Sequence, residues 1–312
     1  MKVEVIANPI AGGGRGRDMA EALVQALRAL DQEVALRLTT CKGDAETYAR
    51  ETGAACLVAV GGDGTVNEVV NGMRAGEAVL GILPVGTANV VGRELRLPFD
   101  ARGAAQLIAA GHTRPMDVGL HLGRRFLLGA GAGLDAAVTA AVMARRGQRS
   151  SLWRWVAPAV KTVLTYEYPR IRAIVDGNLV SEAAQYAIAG NCRYSAGIFP
   201  ATPRAAIDDG LLDVCLLHDL SVPRIITLLG KVWRPSFVEG AGVIYLQGRH
   251  VRLEAVDAPV PLQVDGDPAG ELPAEFEVSP RAVRVVTAFC GSADAEDPDK
   301  HGQTRTNTDR HR

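Results

Sequence analysis

Apolar residues in the first third of the chain follow two alternating rhythms. Val3–Ala7, interrupted only by Glu4, and Leu57–Val60 are short aliphatic runs, the pattern of buried strands, and Leu80, Ile82 and Leu83 mark another. Val34, Leu36 and Leu38 alternate as a strand with one polar face. Between these runs Met19, Ala22, Leu23, Ala26, Leu27 and Leu30 recur with the helical period. Asp44 is placed to cap a helix running to about Thr52, a further helix spans about Thr65 to Met73, and Gly86-Thr87 begins another turn and helix. Strands that alternate with helices need crossover connections, so the pattern predicts a parallel sheet.

From about Asp117 the texture changes. Arg170–Val175, Ala184–Ala189, Leu211–Leu217, His250–Val256 and Arg281–Thr287 are short, β-rich and separated by Gly, Pro and Asp turns. Helical stretches at Ala136–Arg145 and Pro223–Val232 interrupt them. The expected organisation is an α/β domain over residues 1–117, a mainly antiparallel domain over 118–290, and a disordered tail over 291–312, where apolar residues are almost absent.

Composition narrows the function classes. The 312 residues suit two domains, and 47% hydrophobic with 22% charged residues suits a core in each. Lys and Arg number 34 against 35 Asp and Glu, a balance that argues against nucleic acid as a partner. The apolar run at the N-terminus ends at Asn8-Pro9, too early for a signal-peptide core, and no run is long enough to span a bilayer. Any meeting with a membrane is therefore expected at its surface. Cys41, Cys56, Cys192, Cys215 and Cys290 are widely spaced, without a zinc or disulfide pattern.

The strongest chemical signal is Gly61-Gly62-Asp63-Gly64-Thr65-Val66-Asn67-Glu68, which follows a buried strand and opens a helix. Glycines there let backbone N–H groups approach an anion, and the helix start adds positive partial charge. Asp63 sits well beside phosphate only if a divalent cation neutralises both, the arrangement of magnesium–nucleotide chemistry. Asn8-Pro9 followed by Gly12–Gly16 is a second strand-to-glycine junction, Thr39-Thr40 closes a third strand, and Pro84-Val85-Gly86-Thr87-Ala88-Asn89 follows a fourth. Loops at strand C-termini are where open α/β sheets bind ligands. No P-loop lysine motif occurs, and no dinucleotide fingerprint follows a strand.

Together these segments resemble the diacylglycerol kinase catalytic domain family, which includes bacterial soluble lipid kinases and sphingosine kinases. The likeness continues through Asn191, Ser195-Ala196-Gly197, Pro203, Ile207-Asp208-Asp209-Gly210-Leu211-Leu212-Asp213 and Gln263-Val264-Asp265-Gly266-Asp267, covering about residues 2–288. It implies an N-terminal α/β nucleotide domain of the NAD kinase/diacylglycerol kinase type, a C-terminal β-sandwich domain, and an active site between them. Asn8, Thr40, the loop Gly61, Gly62, Asp63, Gly64, Thr65, Val66 and Asn67, and Thr87 would contact ATP, with Asp63 acting through magnesium and water. Asp265-Gly266-Asp267 matches the family's Asp-Gly-Glu, source of the carboxylate that takes the proton from the lipid hydroxyl, and leaves Asp265 and Asp267 both open as the base. Asp209, with the carbonyls of Ala206 and Leu211, resembles a structural magnesium loop. Val90 stands where many members carry an acid, while Asp117 matches a retained one.

The implied activity is an ATP- and Mg2+-dependent lipid kinase acting on the hydroxyl of a diacylglycerol-like or other long-chain lipid. The alternatives are a kinase of a soluble acceptor, akin to NAD kinase or phosphofructokinase, and a catalytically silent binding protein. A lipid substrate calls for a cytoplasmic protein in peripheral contact with the inner membrane face, and a homodimer is left open. Arg145, Arg146, Arg149, Trp153, Arg154 and Trp155 suit an anionic headgroup region, as does Trp233-Arg234-Pro235, with Leu152, Val156 and Ile198 near an acyl chain; inward-packed tryptophans are the alternative.

Overall fold

The structure, a computed structural model, describes residues 1–74, 76–144, 153–194, 200–231 and 240–288. The N-terminal half runs β1 (Lys2–Ala7), α1 (Ala11–Gly14), α2 (Gly16–Arg28), β2 (Glu33–Leu38), α3 (Asp44–Glu51), β3 (Cys56–Gly61) and α4 (Asp63–Gly72). It continues with β4 (Val79–Pro84), α5 (Val90–Glu94), α6 (Ala101–Ala110), β5 (Thr113–His121) and β6 (Arg124–Phe126). Strands β2-β1-β3-β4 are adjacent and parallel, as the alternating pattern requires. Every residue of β3 is buried, because helices cover both faces of the sheet. Leu23 and Leu27 of α2 and Ile108 of α6 pack on one face. Ala45 and Ala49 of α3 and Val66, Val69 and Val70 of α4 pack on the other.

The C-terminal half holds β7 (Gly129–Gly133), α7 (Leu134–Met143), α8 (Trp153–Thr165), β8 (Ile171–Val175), β9 (Asn178–Ala184), β10 (Tyr186–Gly190) and β11 (Leu212–Leu217). It ends with α9 (Val222–Lys231), β12 (Val243–Gly248), β13 (His250–Ala255), β14 (Pro261–Val264), β15 (Asp267–Glu271) and β16 (Ala274–Val286). Strands β12-β11-β10-β7-β14-β15 form one antiparallel sheet, while β13, β8 and β9 extend the first sheet beyond β16. Phe126, Ile171, Leu253 and Phe276 from one layer meet Ala132, Leu212, Val214, Leu216 and Leu262 from the other, forming the core of a β-sandwich.

The two halves share β16. Its early residues pair with β13, it runs beside β5 from Glu277 on with an irregularity between Ser279 and Val283, and its last residues also pair with β4. One long strand thus fixes the sandwich against the parallel sheet.

Three expectations need correction. Ala184–Ala189 is not one strand: Ala184 ends β9 in the first sheet, and Tyr186 begins β10 in the second. Gln185 makes the crossing, its backbone N–H bonded to the Leu217 carbonyl and its side chain to Tyr168 and Leu220. Asp44 does not cap α3 from outside; it is the helix's first residue, and its carboxylate turns back to Thr40 and Cys41. The helix expected from Thr65 begins earlier, at Asp63.

Strand β7, Gly-Ala-Gly-Ala-Gly, has no β-propensity to announce it, yet a Cβ at Gly131 would lie 2.0 Å from Asp135 Oδ2. Trp153, Arg154, Trp155 and Val156 form the first turn of α8. Ser195–Gly197, Ile198, Arg145, Arg146, Arg149, Leu152, Trp233–Pro235 and the tail 291–312 lie outside the described residues.

Candidate active site

The order β2-β1-β3-β4 reverses direction between β1 and β3, the point where an open parallel sheet leaves a crevice at its strand C-termini. Asn8 follows β1, Thr40 follows β2, Gly61 ends β3 with Gly62 just before α4, and Thr87 lies in the loop after β4. Close backbone contacts pull these loops together. A Cβ at Gly12 would come within 2.3 Å of the Val85 carbonyl, and one at Gly86 within 2.5 Å of the Gly62 Cα. Only glycine permits both approaches. Asn8 shapes the first loop by accepting the Ile10 N–H through Oδ1 at 3.1 Å.

Within the central loop the residues divide. Gly64 is exposed, and Gly62, Asp63 and Asn67 are half-buried. Thr65 and Val66 are buried, and their N–H groups are bonded to the Gly62 carbonyl. Val66 belongs to the core beneath the loop. Thr87 is exposed. Thr40 donates through its N–H and its hydroxyl to Asp44, whose carboxyl these bonds hold well below the usual range.

Asp63 accepts the Val91 N–H at 3.1 Å, placing its carboxylate at the start of α5. Burial raises its pKa, while the N–H groups of Val91 and Val90 oppose the rise. Asn89, next to this point, has φ 50° and a side-chain oxygen that is buried without a hydrogen-bond partner. A half-buried carboxylate, held by the backbone of a loop that also carries an unsatisfied side-chain oxygen, suits a hydrated divalent cation, which keeps most of its waters and takes one or two protein oxygens.

The second domain brings its Asp-Gly-Asp segment to this crevice. Asp265 and Gly266 are the two central residues of the β14–β15 hairpin, with φ 51° and 83°, the left-handed pair that a two-residue turn needs. Asp265 Oδ2 accepts from Asn67 Nδ2 and the Leu127 N–H, each at 2.8 Å. Its Oδ1 accepts from the N–H groups of Leu128 and Gly129 at 2.8 and 3.2 Å. Burial pushes the carboxyl up to about 6 against the pull of these donors. Asp267 is different: half of its side chain is exposed, and its Oδ2 meets Lys42 Nζ at 2.8 Å.

Residues without a motif complete the joint. Asn71 Nδ2 donates to the Arg125 carbonyl and Asn71 Oδ1 accepts the Arg125 N–H, each at 2.9 Å. The Arg125 guanidinium donates to the carbonyls of Val70 and Met73, closing the C-terminal end of α4. Asn71 was legible as the residue one turn beyond Asn67; nothing in the sequence marks Arg125 or Lys42.

Asp209 and Asp117 lie in another cluster. Asp117 accepts the N–H groups of Gly210 and Arg281, each at 2.6 Å, and so braces the Asp208–Asp213 turn. Asp209 is exposed and accepts from the Leu211 N–H and Gln247 Nε2. Ala206 and Leu211 flank it, half-buried. Among the described residues no group of three or more His, Cys, Asp or Glu side chains could hold a metal ion.

A doubly covered parallel sheet continued into an antiparallel β-sandwich, with glycine loops facing an Asp-Gly-Asp turn, defines a two-domain protein of NAD kinase-like fold. Residues 2–121 match the diacylglycerol kinase catalytic domain, and residues 129–287 match the YegS C-terminal NAD kinase beta sandwich-like domain. The chain belongs to the diacylglycerol kinase catalytic domain family. It is 26% identical to a diacylglycerol kinase of Bacillus subtilis over 291 residues, 91% of this chain and 96% of that protein. A diacylglycerol kinase of Staphylococcus aureus is 29% identical over 287 residues, 88% of this chain and 89% of that protein. A crystal structure of a diacylglycerol kinase from Bacillus anthracis superposes with TM-score 0.75 at 26% identity, covering 92% of this chain and 96% of the other. Yeast NADH kinase superposes with TM-score 0.55 at 13% identity, over 99% of this chain and 90% of that one, a likeness of fold alone.

Proposed function

We propose that this protein is an ATP- and magnesium-dependent lipid kinase that phosphorylates the hydroxyl of a diacylglycerol-like lipid. The observation that carries the reading is the meeting of the Asp265-Gly266-Asp267 turn with the helix that follows the β3 glycine loop and with the loop after β2, through Asn67–Asp265 and Lys42–Asp267. Phosphoryl transfer asks a protein mainly to position its reactants and to balance charge, and this crevice offers both.

The two aspartates take different roles. Four N–H donors occupy both oxygens of Asp265, so its work is to hold the turn and the adjoining strand. Asp267, half exposed beside Lys42, is the base for the acceptor hydroxyl. The hydroxyl oxygen bonds to the γ-phosphorus, the bond from that phosphorus to the bridging oxygen breaks, and its electron pair leaves on ADP. The hydroxyl proton passes to Asp267 and then to solvent. Asn8, Thr40, Gly61, Gly62, Gly64, Asn67 and Thr87 border the nucleotide. Asp63 would hold magnesium, which supplies charge neutralisation at the phosphates when bound. Asp209 with the carbonyls of Ala206 and Leu211 is assigned a second, structural magnesium.

The lipid reaches the crevice from a membrane surface, and the protein is placed in the cytoplasm at the inner leaflet. No helix among the described residues is long and apolar enough to cross a membrane. Val160 and Leu164 on α8 are 50% and 61% exposed and flank the exposed Lys161, a composition suited to an anionic interface.

Purified protein, γ-labelled ATP, magnesium and dioleoylglycerol in phosphatidylglycerol vesicles test the reading. Labelled phosphatidate that disappears with Asp63→Ala is expected. The NAD kinase-like fold makes a soluble nucleotide acceptor the second reading, and label transferred to NAD(H) instead of the lipid would replace the first. Nucleotide binding without transfer to any acceptor would favour a silent binding protein.

A further inference from the structure

We propose that Lys42 is a catalytic cation that pairs with Asp267 and, with nucleotide bound, turns onto the transferring phosphoryl group, releasing Asp267 to accept the proton. This role for Lys42 rests on the reading above that Asp267 is the base.

Distance places Lys42 within reach. Its Nζ lies 2.8 Å from Asp267 Oδ2. A hydroxyl served by that carboxylate lies about 2.6–3.2 Å from it, and the phosphorus it attacks about 3–3.5 Å further on. A small rotation of the four-carbon stem therefore carries the ammonium from carboxylate to phosphoryl oxygen. The root of the side chain stays fixed, because Asp44 accepts the N–H groups of Thr40 and Cys41 just before it. Gly43 follows with φ +93°, ending the turn before α3.

Charge gives the exchange its direction. The phosphoryl group carries its negative charge on equatorial oxygens through the transition state and is stabilised by cations placed there in advance. The pair with Asp267 is weak by comparison, since Lys42 is 81% and Asp267 51% exposed. Asp267 Oδ2 is occupied by the ammonium while the pair persists, so the same movement that neutralises the phosphate clears the oxygen that takes the proton. In the step itself the acceptor oxygen–phosphorus bond forms, the phosphorus–ADP oxygen bond breaks with its electrons on ADP, and the proton goes to Asp267.

Calorimetric titrations of the full chain with Mg-ATP and Mg-ADP, beside the labelled-transfer assay, test this in wild type, Lys42→Met, Lys42→Arg, Asp267→Asn and the Lys42→Met/Asp267→Asn double variant. Lys42→Met is expected to weaken ATP binding about tenfold and ADP binding less than about twofold, because the lost partner is the γ-phosphate. Lys42→Arg should recover most of the difference. Asp267→Asn should tighten ATP binding when Lys42 is present and leave it unchanged in the Lys42→Met background. An ATP-to-ADP preference unchanged by Lys42→Met overturns the proposal. So does a large fall in melting temperature of Lys42→Met, which would make the pair a structural clasp. Wild type that binds neither nucleotide would instead refute the nucleotide site itself, and transfer retained by Asp267→Asn would refute the assignment of the base.

Discussion

Asn67 Nδ2 donates to Asp265 Oδ2 across 2.8 Å, joining two residues 198 positions apart and both domains of the chain. Asn67 lies on the helix that follows the central glycine loop, and Asp265 opens the turn that carries Asp267. The bond therefore sets the relation between the glycine-loop crevice and the Asp267 carboxylate. Asn67→Leu removes the donor but leaves the three backbone N–H groups on Asp265 in place. The expected result is a loss of about 1–2 kcal/mol in stability and a larger loss of turnover than of ATP affinity. Asp265→Ala should cost more, about 3 kcal/mol or above, since it strips the acceptor from several part-buried donors. Chemical denaturation of both variants checks the order; equal losses would deny Asp265 its bracing role.

Asp135 supplies a pH signature. Burial pushes its carboxyl up to about 6, and its Oδ2 accepts Gln263 Nε2 at 2.7 Å. The folded protein therefore retains a proton that the unfolded chain releases near its ordinary value of about 4. The stabilising contribution is complete below that value and is lost as pH rises through about 6. Relative to Asp135→Asn, wild type should lose melting temperature between about pH 4 and pH 6.5 and then level off. Parallel curves for the two proteins would refute the shift.

Val160 and Leu164 test the proposed membrane contact. Their replacement by Asp should lower binding to phosphatidylglycerol vesicles at least about fivefold while leaving ATP affinity unchanged, because each exposed apolar side chain loses its transfer energy into the interface. Sedimentation with vesicles reads the first quantity and calorimetry the second. Unaltered sedimentation would overturn the proposed contact of α8 with a membrane.

Local periodicity was sufficient for the nucleotide half. Short apolar runs made β1 and β3 legible, the helical stripe made α2 legible, and glycines at strand ends located the crevice, because each signal arises within a few neighbouring residues. The β-rich half was legible in its character and less so in its pairing. Gln185 is a single polar residue between Ala183-Ala184 and Tyr186-Ala187-Ile188, too short an interruption to announce a change of sheet. Gly129, Gly131 and Gly133 make a poor strand by propensity, and it is the room they leave for neighbours such as Asp135 that explains them.

The Asp-Gly-Asp segment marks the boundary between the two kinds of information. Its dipeptide specifies a two-residue turn wherever it lies, and its carboxylates are equivalent on paper. Folding places one of them against four N–H donors and leaves the other half exposed beside a lysine from the loop beyond β2. Strands, glycine loops and the inventory of acidic groups depend on near neighbours and could be read along the chain. Which carboxylate is saturated, and which cation faces the other, depends on residues brought together from remote parts of it, because hydrogen-bond occupancy and charge pairing exist only once the two domains have met.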